Sequence, residues 1–213
     1  MTAVQGSRHW GNNGFTLIEL MVVVLIISVM AALAAPSVKR LLDDREGQRE
    51  AMSILGTMQN ARSRAFGRGG AVSVVFTSAA DGTNPLNFRV FEHLVSVDAD
   101  TTLDTPSASC VAEENETPAA GTAGKRSVGF WKPRHDRARI EADVRQWAAA
   151  GTNAARVELC FTPKGGTFVR NAGAATPWVA LVDSVAFRIG GGNSGAPVRV
   201  VEVMPGGIAR MRL

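Results

Sequence analysis

Residues 14–35 read G-FTLIELMVVVLIISVMAALAA, and Glu19 is the one charged side chain in the stretch. An apolar helix of roughly 20 residues matches the hydrocarbon core of a bilayer, so the segment reads first as a membrane helix. A carboxylate in hydrocarbon costs on the order of a few kcal/mol; it needs a positive partner, or a depth shallow enough to reach the headgroups. A conventional secretory signal is the rival reading, because Arg8 precedes the run and Ala31 to Ala35 supply small residues for cleavage. Three features count against it: the run exceeds an ordinary signal core, bears a carboxylate near its start, and continues past Pro36 into a helical pattern.

Working outward, Pro36 removes a backbone donor just beyond the apolar run, which predicts a kink without a full stop. Ala51, Ile54, Met58, Ala61 and Ala65 then recur at three- and four-residue steps, widened by Leu55 and Phe66, so this half of the helix should lie on a sheet. Between them, Asp43, Asp44, Arg45, Glu46, Gln48, Arg49 and Glu50 alternate in sign around Gly47, the pattern of a solvated neck or of a contact surface between subunits. Gly67, Gly69 and Gly70 end the helix.

From there the period changes from helical to alternating. Candidate strands cover residues 71–77, 87–95, 127–131, 139–144, 155–162, 167–170, 178–182, 185–189, 198–203 and 208–212. Residues 101–125 are rich in Thr, Ala, Ser, Pro and Glu without period and read as a long exposed loop. The fold class is therefore α+β, with one long N-terminal helix and a mainly antiparallel β head.

Composition narrows the function. With 213 residues and 46% hydrophobic content the chain can bury a proper core, and a formal charge of +4 allows nucleic acid as a partner without demanding it. His9, His93 and His135 are scattered and share no metal-ligand spacing with Cys110 or Cys160. Gly121 to Ser127, GTAGKRS, lacks the spacing and the hydroxyl after lysine of a phosphate-binding loop, and reads as a plain loop. Asp98, Asp100 and Asp104 lack the glycine and terminal glutamate of a calcium loop, and the GGGNSG cluster at 190–195 lacks a nucleophile motif, so both read as turns. No metal, no cofactor and no enzymatic activity are expected. Cys110 and Cys160 lie on the exported side if the apolar run crosses a membrane; a disulfide there is one reading, one buried and one exposed thiol the other.

The stretch Gly14, Phe15, Thr16, Leu17, Ile18, Glu19 resembles the class III signal of type IV prepilins and pseudopilins. The resemblance implies a leader at 1–14 cut after Gly14 by a prepilin peptidase, methylation of the new N-terminus at Phe15, a transmembrane helix at 15–35, an amphipathic continuation at 36–66 with its kink at Pro36, and a head at 67–213. It also implies that Glu19 pairs with the N-terminal amine of a neighbouring subunit. That supplies the missing cation, since opposite buried charges cost less together than apart. Leu159 to Gly166, LCFTPKGG, together with residues 198–203, Pro205-Gly206-Gly207 and 208–212, resembles the GspH/FimT type of minor pilin, whose head packs a long helix on two antiparallel sheets. The partners implied are the peptidase, other pilin or pseudopilin subunits and inner-membrane lipid, with the head in the periplasm of a bacterium. Lys39, Arg40, Arg45 and Arg49 outnumber the leader's Arg8, so the positive-inside rule alone points the other way and the orientation rests on the resemblance. Some FimT-like subunits bind DNA through arginines of the last hairpin, which makes Arg199, Arg210 and Arg212 candidates for phosphate contact, against the reading of a strand with solvated alternate side chains.

Overall fold

The computed structural model describes residues 15–78, 87–95, 105–110, 123–132, 138–146, 156–171, 177–191 and 197–212. The chain divides into two units, residues 1–39 and 40–213.

In the first unit the helix α1 (Leu17–Arg68) begins, and Pro36 lies inside it without ending it. One missing N–H leaves the neighbouring hydrogen bonds to hold the turn. Ser28 and Ser37 donate their hydroxyls to the carbonyls of Leu25 and Ala34, at 2.8 and 2.7 Å, so these polar groups are satisfied inside the helix. That is the condition a helix must meet in lipid.

In the second unit α1 buries Gly47, Glu50, Ala51, Ile54, Met58, Ala61 and Ala65, the three- and four-step stripe of a helix with one covered face. Leu55 packs partly against the core, but Phe66 is exposed and lies against Arg62 instead. Residues 43–50 are less solvated than their charge suggests. Gly47 and Glu50 are buried, and Asp44 accepts a 2.8 Å hydrogen bond from Arg199. A Cβ on Gly47 would stand 3.4 Å from an Arg199 Nη1, so the guanidinium lies directly against the helix at this residue.

Two antiparallel sheets complete this unit. The larger contains β1 (Val72–Thr77), β2 (Asn87–Val95), β3 (Thr105–Pro106), β4 (Ala123–Trp131), β6 (Arg156–Phe161), β7 (Thr167–Asn171) and β8 (Val179–Ala180), in the order β3-β2-β1-β6-β7-β8 with β4 also on β2. Because β4 pairs β2 from Phe88 to Val95, β3 must share the β1 edge; Ala71 and Ser107 bond to each other there, and both bond to His93. The smaller sheet contains β5 (Ala138–Val144), β9 (Val185–Gly191), β10 (Arg199–Val203) and β11 (Ala209–Arg212), in the order β11-β10-β9-β5.

One core joins α1 to both sheets: Val72, Val74, Phe76, Val157, Leu159 and Phe161 come from the larger, Ile140, Val185, Phe187, Val201 and Val203 from the smaller. Phe76 and Phe88 meet Phe187 across the seam at centroid distances of 5.4 and 5.5 Å, in the edge-on arrangement that aromatic quadrupoles favour. The arrangement is the α+β, pilin-like one expected, a long apolar N-terminal helix with two antiparallel sheets. Two local expectations are corrected. GTAGKRS is no loop from Ala123 onward, since residues 123–127 open β4 and pair with β2, and Thr105–Pro106 within 101–125 forms β3. Both segments lack a hydrophobic alternation of their own and become strands through pairing with β2, which periodicity cannot show.

Candidate functional site

The described chain opens on Phe15, 80% exposed. Thr16 stands at the N-cap of α1: its hydroxyl accepts the Glu19 N–H at 3.3 Å and its carbonyl accepts the Leu20 N–H at 3.2 Å. Thr16-x-x-Glu19 is thus the spacing of a capping box, and Glu19 sits in the first turn, where a carboxylate complements the positive end of the helix dipole. The T-x-x-E spacing is a helix-start signal separate from the two readings of Glu19 as a charge in hydrocarbon and as the partner of an amine. Beyond Glu19 the large apolar side chains from Leu20 to Leu33 are exposed all round. A window of this helix reaches a mean hydropathy of 2.8 with none of it buried. A helix apolar on every side and uncovered by its own protein requires lipid or other helices around it. Gly14 lies outside the described residues.

The three arginines proposed for nucleic acid do not form one surface. Arg199 is 5% exposed and is held by Asp44, with its Nε and Nη1 unpaired inside the head. Arg210 and Arg212 project from β11 and converge on Glu202 of β10, at 2.9 and 3.4 Å, with Arg145 at 3.9 Å and Ser184 donating at 2.9 Å. Hydrogen bonding from Arg210 holds the Glu202 carboxyl below the usual carboxylate range, against the opposing effect of burial. Arg210 and Arg212 stay about half exposed, so they are the members of the trio with access to solvent.

A buried polar layer lies on the face of the larger sheet turned away from the core; of its members only Cys110 and Cys160 stand out in the sequence as a candidate pair. Cys110 is bonded to Cys160, with a Cα–Cα distance of 6.2 Å, and this ties the segment after β3 to β6. His93 Nε2 lies 3.9 Å from the Cys160 sulfur. Beside them Glu158 binds Arg170 at 2.5 Å, Arg156 at 2.8 Å and Lys125 at 3.5 Å, and Trp178 stacks over Arg170 at 4.7 Å. Burial, then the charges of Lys125 and Arg170, push the His93 pKa down to about 3, and burial pushes Lys125 down to about 8 despite the attraction of Glu158. Charged residues alternating with apolar ones, as in Val157-Glu158-Leu159, read locally as a solvated face; only the cover over the sheet makes them interior. Among the described residues no group of His, Cys, Asp and Glu is arranged to hold a metal ion. Asp98, Asp100, Asp104, His9 and His135 lie outside them.

Residues 11–35 match the prokaryotic N-terminal methylation motif. No curated protein and no solved structure matches the chain. The motif is the class III prepilin signal, consistent with type IV pilin-like proteins: it implies processing by prepilin peptidase and assembly with other pilins, and it points to a structural subunit and not to a catalytic family. With the apolar helix beside it, it gives the chain a membrane anchor.

Proposed function

From a prepilin-type signal joined to an uncovered apolar helix, we propose that this chain is a non-enzymatic minor pilin or pseudopilin of the GspH/FimT type, built in at or near the tip of a type II secretion pseudopilus or a type IV pilus. The observation that carries the reading is the continuity of the motif at 11–35 with a helix that is exposed on all sides to Leu33 and then lies on the core of a β head. Supporting it, Thr162 to Gly166 closes the β6–β7 turn, with Thr162 N–H bonding to Gly166 O at 2.9 Å, and Pro205-Gly206-Gly207 closes the last hairpin. These are the segments on which the family resemblance rests.

In this reading the precursor waits in the inner membrane with its head in the periplasm. The peptidase cuts after Gly14 and methylates Phe15; the helix then leaves lipid for the filament core, where the N-terminal amine of one subunit meets Glu19 of another. Pairing brings both charges out of isolation and sets the register between subunits. Mass spectrometry of the N-terminus of membrane-purified protein tests this: an N-methylated Phe15 is expected, and a chain starting after Ala35 would overturn the reading. A second reading, a DNA-binding subunit for transformation, retains Arg210 and Arg212 as phosphate contacts and loses Arg199. Salt-dependent DNA retention that disappears on replacing both would favour it.

A further inference from the structure

Between residues 40 and 50 the helix α1 buries no apolar side chain. Leu41 and Leu42 are half exposed, the residues covered there are Gly47 and Glu50, and the apolar stripe begins only at Ala51. From Ile54 to Ala65 the same helix is fixed by fully buried apolar side chains, and its end is tied to the larger sheet by Arg64 and Arg68 on Glu92. The neck at 43–50 therefore sits on the head through polar contacts, and Gly47 weakens its helical preference.

Arg199, at the start of β10, is what seats it. The side chain is 7% exposed, and one of its nitrogens, Nη2, donates to Asp44 at 2.8 Å. Nη1 lies against Gly47, and neither Nη1 nor Nε has a hydrogen-bond acceptor in the protein. Asp44 is itself 38% exposed, so water competes for its carboxylate. Glu50, one turn past Gly47, is buried and has an interaction of its own. A buried cation with a single, partly solvated partner makes a contact that costs desolvation to form and recovers it on opening.

We propose that Arg199 and Asp44 form a latch biased toward release: the neck at 43–50 opens around Gly47 and lifts from the smaller sheet, while the head from Ala51 onward stays folded. Opening returns the Arg199 nitrogens and the Asp44 carboxylate to water and leaves the apolar stripe in place, so the ion pair is the main tie it breaks. Two substitutions separate such a latch from an ordinary stabilising pair. Loss of the Asp44 charge leaves a buried cation without its partner and opens the neck. Met in place of Arg199 removes the desolvation cost, keeps an unbranched apolar stem against the helix and leaves Asp44 facing water, so it closes the neck. A pair that simply held the neck would be weakened by both changes alike. The latch belongs to the single subunit and does not rest on the filament reading.

Hydrogen–deuterium exchange of the full-length protein in detergent micelles tests it, read as the protection of residues 43–50 against that of residues 54–65. In the wild type the neck should be at least about tenfold less protected than 54–65. Asp44→Asn should lower neck protection by roughly threefold or more, Arg199→Met should raise it by a similar factor, and 54–65 should keep its protection in both variants. Weaker neck protection in Arg199→Met, unchanged neck protection in either variant, a wild-type neck as protected as 54–65, or a loss at 54–65 in step with the neck would each overturn the proposal.

Discussion

Glu19 serves two physical roles that a single substitution can separate. Its backbone N–H bonds to the Thr16 hydroxyl at the helix start, a contact any residue at that position can make, whereas its carboxylate is the one charge in the apolar run. We predict that Glu19→Ala leaves membrane insertion and leader removal intact and lowers incorporation into filaments, because the neighbouring amine would then be buried without an opposite charge, at a cost of several kcal/mol. Insertion itself should become easier. Comparing membrane level, leader removal and recovery in sheared filaments checks this, and normal recovery would rule out the pairing role. Normal assembly of Glu19→Gln would show that hydrogen bonding, without charge, is what the position needs. Arg199 shows the converse lesson: an arginine in a resembling hairpin is here a buried partner of Asp44.

At the scale of elements, the disulfide holds β3 against the larger sheet. β3 has two residues, too few to persist alone, and the segment after it reaches Cys160 across a sequence separation of 50. Closing a loop of that length restricts the unfolded chain, and we expect the bond to contribute roughly 2 to 4 kcal/mol. Thermal melts of wild type and Cys110→Ser in detergent should therefore differ by several degrees, with reductant lowering the wild type toward the variant. Coincident melts would mean that the pairing of β3 with Leu94 and Val95 and the backbone bonds of Ser107 to Ala71 and His93 suffice to hold it. β4 makes the related point for pairing: its Lys125-Arg126-Ser127 stretch has no strand signature, yet it lies in register with His93, Glu92 and Phe91.

Over the whole molecule, the buried polar layer makes stability depend on pH. The folded His93 stays neutral down to about 3, while in the unfolded chain it takes up a proton near 6.5. Between those values the unfolded state binds more protons, so stability falls as pH drops below about 6.5, by at most about 1.4 kcal/mol per pH unit from this group. Glu92 and Glu202 have lowered pKa values, and their contribution is lost only as pH falls further, below the ordinary carboxylate value of 4.5. Melting temperatures between pH 6.5 and 5 therefore isolate the histidine: wild type should lose stability across that interval and His93→Leu should lose much less. Parallel profiles would remove His93 as the cause.

What depends on local pattern can be read along the chain. Residues 15–35 declare their apolar length, Gly14 to Glu19 their processing motif, and the three- and four-step stripe at Ala51, Ile54, Met58, Ala61 and Ala65 its buried face. Ten of the strands were legible because alternation and turn residues are short-range signals. Which strands neighbour which, that β3 exists, and that Arg199, Lys125, Glu158 and Arg170 lie inside emerge with the folded chain. Burial of a charged strand residue is set by what covers its face, and that cover comes from residues distant in the chain. Asp44 meets Arg199, and Lys125 meets Glu158, across separations that no local pattern records.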